Sequence, residues 1–328
     1  MKRGLLPGLG LAIVLLFAAS LLIGPAQLSI ADSLSGLMAG DDSPVALVMR
    51  EIRLPRALLA LLIGASLGLA GAAMQGYLRN PLAEPGLIGV SASAALGAVI
   101  AIQSGFAAAF VLGLPLAALA GALAAVLLVM ALAGPGGTSL TLILAGIAVS
   151  ALASALTSLV LNLSPNPFAA SEIVFWMMGS LEDRSMIHVW IALPFMALGL
   201  LLLGTLGRGL DALTLGEDAA QAMGIQVSRL RLQLVFGTAC VVGAGTAVAG
   251  AIGFVGLVVP HILRPFVGAH PSRLLWASAL GGAVMVLTAD IATRVILPDR
   301  DLKLGVLTAL VGAPLFLHLI LKLRKERL

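Results

Sequence analysis

Long apolar runs recur along the chain, separated by short breaks that are polar or rich in proline and glycine. They are Leu5–Ile23, Ala57–Tyr77, Ile88–Ile102, Phe110–Leu132, Leu140–Leu161, Val189–Leu206, Leu230–Ala249, Phe254–Val267, Leu274–Ile291 and Val306–Leu323. A bilayer core takes about 20 helical residues per crossing, and most of the runs match that length. They lack the two-residue alternation of membrane-barrel strands, whereas a helix satisfies its own backbone groups in lipid. The pattern predicts an all-α polytopic membrane protein of about ten transmembrane helices, with residues 1–328 as a single transmembrane domain. The first run follows Met1-Lys2-Arg3 and could open a signal peptide, but no small-x-small cleavage site ends it, so it is predicted to be the first span.

Composition narrows the class. Of 328 residues, 60% are hydrophobic and 10% charged, against roughly 45–50% and about 25% in soluble domains. A soluble enzyme, a disordered protein and a nucleic-acid-binding domain are excluded. The net charge of +4 is therefore read as topology. An even number of spans puts both termini on one side, and the basic tail Lys322-Leu323-Arg324-Lys325-Glu326-Arg327 makes that side cytoplasmic. Twelve basic residues then fall inside, including Lys2, Arg3, Arg79, Arg208, Arg229, Arg231, Arg264 and Arg273. Seven fall outside: Arg50, Arg53, Arg56, Arg184, Arg294, Arg300 and Lys303. The only cysteine, Cys240, sits in an apolar run, so the chain has neither an internal disulfide framework nor a cysteine metal cluster.

Small residues are spaced for close helix contact. Gly64, Gly68, Ala72 and Gly76 recur every four residues, and Gly243 and Ala247 repeat the spacing. Pro115, Pro194, Pro260 and Pro314 lie within or beside spans and are expected to kink or end helices.

Four clusters carry candidate chemistry. Arg53-Leu54-Pro55-Arg56 opens the second span on the outside; Pro55 suits a helix first turn, and two guanidinium groups three residues apart suit carboxylate partners. These charges run against the inside bias and point to an acidic partner outside the membrane. The second cluster, Arg79 to Ser91, holds prolines and glycines that break helices; Asn80 and Glu84 are candidates to satisfy the freed backbone groups. The third, Gly207–Arg229, is the longest polar stretch placed inside. Glu217 and Asp218 suit a helix start and Gly224 a helix stop, so two short helices are expected, suited to dock into another subunit. The fourth runs from Gly250 to Arg264, with Ala289 to Arg294 as its companion; Asp290 and Arg294 are spaced to pair on one helix face. His261, after Pro260, reads as a local hydrogen-bonding residue more than a proton carrier.

Together these clusters resemble the permease subunits of ABC importers for iron-siderophores, heme and cobalamin, the FecCD/BtuC family. The resemblance covers nearly the whole chain. It rests on Arg-Leu-Pro-Arg at 53–56, Asn-Pro-Leu-Ala-Glu-Pro-Gly at 80–86, Gly-Phe-Val-Gly-Leu-Val-Val-Pro-His at 253–261 and Ala-Leu-Val-Gly-Ala-Pro at 309–314. It implies a permease domain over 1–328, ten helices, and a homodimer with one path at its two-fold axis. It also implies two ATP-binding cassette subunits inside and a periplasmic substrate-binding protein outside, in a bacterial inner membrane. Arg53, Arg56 and Arg294 match arginines that meet the binding protein. Gly207–Arg229 matches the coupling helices, with Glu217, Ala219, Ala220 and Gly224 resembling the Glu-Ala-Ala…Gly loop. The cytoplasmic gate falls at Thr138, Ser139, Leu140 and Thr141, where the basic residue often found beside the gate is missing. Phe175–Leu181 fits an outer short helix. The path lies along the fifth and tenth helices.

No Gly-x-x-x-x-Gly-Lys-Ser/Thr segment occurs, so no P-loop is available to cradle ATP phosphates, and ATP and Mg²⁺ are expected on partner subunits rather than in this chain. Cargo is expected to be a metal chelate, with an iron-siderophore favoured over heme or cobalamin. The alternative is an ion-coupled secondary transporter, which needs intramembrane ionisable groups; only Asp290 and His261 are candidates. An intramembrane enzyme finds little support in one cysteine and the scattered His188, His261, His270 and His318.

Overall fold

The computed structural model describes residues 4–26, 28–38, 43–134, 137–165, 167–297 and 302–325. Lys2, Arg3, Arg300 and Arg327 of the charge count lie outside these residues, as do the side chains of Lys322, Arg324 and Lys325. The described elements are helical. In chain order they are α1 (Leu5–Leu22), α2 (Ile30–Met38), α3 (Pro44–Leu47), α4 (Leu54–Leu78), α5 (Val90–Gln103), α6 (Phe106–Ala109), α7 (Gly113–Ala133) and α8 (Ser139–Asn162). They continue with α9 (Pro167–Met177), α10 (Met186–Gly204), α11 (Gly207–Leu213), α12 (Glu217–Ala222), α13 (Val227–Ala249), α14 (Val255–Leu263), α15 (Pro271–Ile296) and α16 (Leu304–Lys325).

Seven helical stretches among the described residues are long and apolar enough to cross a membrane: Leu5–Leu22, Pro44–Leu78, Gly113–Ala133, Ser139–Asn162, Met186–Gly204, Val227–Ala249 and Pro271–Ile296. Three apolar helices are shorter: Val90–Gln103, Val255–Val267 and Leu304–His318. Each of the ten apolar runs falls on one of these helices. The short ones start inside the bundle. Ser93 and Gly97 of α5 face Gly121 and Ala117 of α7, so α5 begins level with the middle of α7. Gly71 of α4 meets Gly256 near the start of α14, about 10 Å inside the Leu78 end of α4 at 1.5 Å per residue.

The centre of the bundle is α4. It packs on α15, α14, α10 and α13, and is apolar or small all round because it has no lipid-facing side. α15 runs antiparallel to it, with Gly64 beside Gly282, Gly68 beside Ser278 and Arg56 beside Asp290. A Cβ at Gly68 would overlap the Ser278 carbonyl, so glycine there sets the distance between the two helices. By contrast α1 has Ser20 as its single buried residue, as a helix at the lipid-facing rim should.

Pro55 lies in the first turn of α4, as the sequence predicts, but the helical stretch begins before α4. The helix starts at Pro44, capped by the Ser43 hydroxyl accepting from the Ala46 N–H at 3.3 Å, and runs on through a π segment at Val48–Arg53. The Leu54 N–H bonds the Met49 carbonyl, so the register widens just ahead of the residue that has no N–H to donate. None of the four span prolines ends a helix: Pro115 lies in the first turn of α7, and Pro194, Pro260 and Pro314 lie inside α10, α14 and α16.

The breaks around the short helices are satisfied from within the protein. The Asn80 side chain accepts from the Leu82 N–H at 2.9 Å, and the Glu84 carboxylate accepts from the Phe254 N–H at 2.8 Å. Phe254 has φ 67°, and its N–H is one of the donors that α14 leaves open at its start. Gln75 donates to the Gly256 and Leu257 carbonyls and accepts from Arg264 at 2.7 Å. Non-helical backbone inside the bundle is thus paired by polar side chains, which apolar surroundings require.

Candidate functional site

The end expected to face outside, the outer end, is built from α1, α4 and α15. Asp290, fully buried on α15, accepts from Arg56 Nε at 2.8 Å and from Arg294 Nη2 at 2.7 Å. The pairing expected from the Asp290–Arg294 spacing is present, and the structure adds Arg56 as a second partner. Arg294 also donates to the Ser20 carbonyl at 2.9 Å, the Ser20 hydroxyl at 2.7 Å and the Ile23 carbonyl at 2.5 Å. Arg53, only 4% exposed, donates to the carbonyls of Leu21 at 2.8 Å, Leu22 at 3.0 Å and Ala26. α1 ends with no basic residue of its own in its last turn. Its open carbonyls carry the negative end of the helix dipole, and two arginines from other helices cover them.

The three outer arginines therefore gather in one place but face different ways. Arg53 turns inward to the end of α1, Arg294 bridges α1 and Asp290, and Arg56 stays partly exposed beside Asp290. Arg50 is exposed on the π segment. The outer cationic surface is thus carried by Arg50 and Arg56, with Arg53 and Arg294 committed to the carbonyls beneath.

The inner end is built around α11 and α12. Glu217 and Asp218 stand in the first turn of α12, and Gly224, at φ 84°, takes the left-handed conformation that ends it. Ala220 is buried, whereas Leu215 and Met223 on either side are 68% and 60% exposed. Exposed large apolar side chains on a short polar segment mark a contact surface. Asp211 of α11 accepts from the Ser272 N–H at 2.9 Å, so this segment caps the inner start of α15.

The expected gate residues sit at the start of α8. The Thr138 hydroxyl accepts from the Thr141 N–H at 3.3 Å and lies 3.1 Å from the Thr141 hydroxyl. Ser139 lies beside the Tyr77 phenol, and the Leu140 side chain is exposed. A cavity of about 450 Å³ adjoins this start, with Tyr77, Gly137, Glu217, Gln221, Ser228 and Arg231 in its walls. Gly137, which precedes the expected gate, and Glu217 and Gln221 of the expected coupling segment therefore line one cavity.

Sequence reasoning did not find Ser20, Gln75, Tyr77 or Asp211, and it placed Arg231 only as an inside charge. Polar side chains at the ends of apolar runs are the available signal, but it names no partner. The chain is similar to known proteins. The hemin transport system permease protein HmuU of Yersinia pestis is 37% identical over 285 residues, covering 84% of this chain and 84% of that protein. The vitamin B12 import system permease protein BtuC of Salmonella typhi is 38% identical over 273 residues, covering 83% of each. A solved structure described as an inward-facing conformation of a metal-chelate type ABC transporter superposes with a TM-score of 0.86 at 36% identity, covering 97% of this chain and 98% of that one. The FecCD transport family model matches residues 12–322, and with that coverage the chain belongs to the FecCD transport family.

Proposed function

We propose that the chain is the membrane-spanning permease subunit of an ATP-driven importer for a metal chelate, seated in a bacterial inner membrane. A ferric siderophore is the favoured cargo, with heme and cobalamin as the other candidates. Two copies form the path between them. Two ATP-binding cassette subunits, which carry the ATP and Mg²⁺, dock inside, and a periplasmic binding protein docks outside.

The observation that carries this reading is the inner contact surface: Leu215 and Met223 stand exposed around buried Ala220 on a segment that caps α15 and shares a cavity with Gly137, just ahead of α8. A surface of that kind suits an ATPase groove, and its links into the bundle suit transmission of movement. Outside, Arg56 and Arg50 present cations to acidic groups of a binding protein. Arg53 and Arg294 hold the platform by fixing α1 to α4 and α15.

The test is co-purification of the chain with its ATP-binding cassette subunit. The parent chain retains the ATPase through gel filtration; Leu215→Asp with Met223→Asp loses it while keeping its own elution position. Retention of the ATPase by the double variant contradicts the inner docking site. Outside, Arg50→Glu with Arg56→Glu is expected to weaken binding-protein affinity at least about tenfold, steeply with falling salt. Unchanged affinity removes the docking proposal.

A further inference from the structure

Gly134 and Gly137 lie between α7 and α8, next to the expected gate, and a side chain from another helix holds their carbonyls. Arg231, in the first turns of α13 and 4% exposed, donates through Nη2 to the Gly134 carbonyl at 3.0 Å and through Nη1 to the Gly137 carbonyl. Gly137 is followed by Thr138, the cap of α8. The planar guanidinium grips two carbonyls at once, which a lysine ammonium does not do with the same geometry.

The same arginine is tied to the inner contact surface. Only Met223–Gln226 separate α12 from α13. That turn is closed by the Ile225 N–H bonding the Ala220 carbonyl at 3.0 Å. A shift of α12 is therefore carried into the start of α13 and with it to Arg231. Glu217 of α12, Arg231 and Gly137 then meet around the one cavity, with Tyr77 of α4 beside Ser139 on its far wall.

We propose that Arg231 is a positioning residue that passes displacement of α12 to the first turn of α8 by holding the Gly134 and Gly137 carbonyls. It supplies, from a helix more than 90 residues onward in sequence (roughly four to five crossings at about 20 residues each), the basic group absent from the segment 138–141 itself. This inference rests on the importer reading above.

The experiment places one reporter thiol at the gate, Leu140→Cys, in a Cys240→Ser background. The chain is assembled with its ATPase subunits in liposomes. The rate of maleimide labelling is measured with ATP and with ADP. With Arg231 present, the two nucleotides give different rates; equal rates sink the importer reading and this inference with it. Given that difference, Arg231→Met is expected to cut the nucleotide response about tenfold, the scale of losing a charge-assisted hydrogen bond from a coupled equilibrium. ATPase assembly stays intact, so a loss confined to the response separates positioning from folding. A full response in Arg231→Met overturns the inference and leaves the importer reading standing. Should Arg231→Met not assemble, Arg231→Lys carries the test: an intermediate response supports the inference, and one equal to the parent's overturns it.

Discussion

Asp290 concentrates the outer end into one buried carboxylate. Two guanidinium groups bond it, and one of them, Arg294, is itself bonded to the end of α1. Burying such a charge is costly, and only paired, fully bonded geometry offsets that cost. Asp290→Asn leaves two cations facing a neutral amide, so it is expected to lower stability by about 3–5 kcal/mol. Thermal unfolding in detergent measures this as a lowered midpoint, and a midpoint equal to the parent's contradicts the ion cluster. At this scale the sequence was legible where partners lie on one helix: the four-residue spacing of Asp290 and Arg294 predicts their contact. It assigned Arg53 to an outside partner and gave no sign of its contacts within the chain, because the carbonyls of Leu21, Leu22 and Ala26 carry no side-chain signature. Any residue can end a helix and leave its carbonyls open.

Hydrophobic runs located every long helix, but run length did not reveal which ones begin inside the bundle. α14 starts at mid-depth, where Glu84 and Gln75 supply the polar partners that water supplies at a surface. Glu84 was recognisable as a candidate for that duty; its target, Phe254, lies 170 residues away. Glu84→Gln keeps an acceptor oxygen and is expected to stay near parent stability, whereas Glu84→Ala leaves the Phe254 N–H bare at a cost of about 1–3 kcal/mol. Chemical-denaturant unfolding of the two variants checks the order; equal stability of both contradicts the assigned role. The four-residue glycine spacing in α4 was likewise readable as close packing, and the structure names α15 as the neighbour. Gly68→Leu has no room against the Ser278 carbonyl, so the bundle is expected to fail to fold, seen as loss of a monodisperse peak in detergent. The extent of the helix around Pro55 was not readable, since a π turn depends on hydrogen-bond register rather than residue type.

Across the whole molecule, α4 and α15 are rods that join the two faces. At the outer end they meet at Arg56 and Asp290; at the inner end Asp211 of α11 bonds the start of α15. The two ends are therefore joined by contiguous, packed helices. Membership of the FecCD transport family and the 0.86 superposition fix the framework in which those rods work. The motifs made the family legible from the sequence alone, because they fall at breaks and helix ends where backbone geometry constrains residue choice. They did not fix cargo, since permeases named for hemin, Fe(3+) dicitrate and vitamin B12 match the chain alike, at 37%, 37% and 38% identity. The central claim is import powered by ATP on partner subunits. Its most direct measurement is uptake of ferric siderophore, heme and cobalamin into proteoliposomes holding the chain with its ATPase and binding protein. The account predicts uptake of one of these that requires ATP on the cytoplasmic side and the binding protein outside, and that persists when a protonophore collapses the proton gradient. Uptake that proceeds without ATP and stops with the protonophore would contradict it in favour of an ion-coupled transporter.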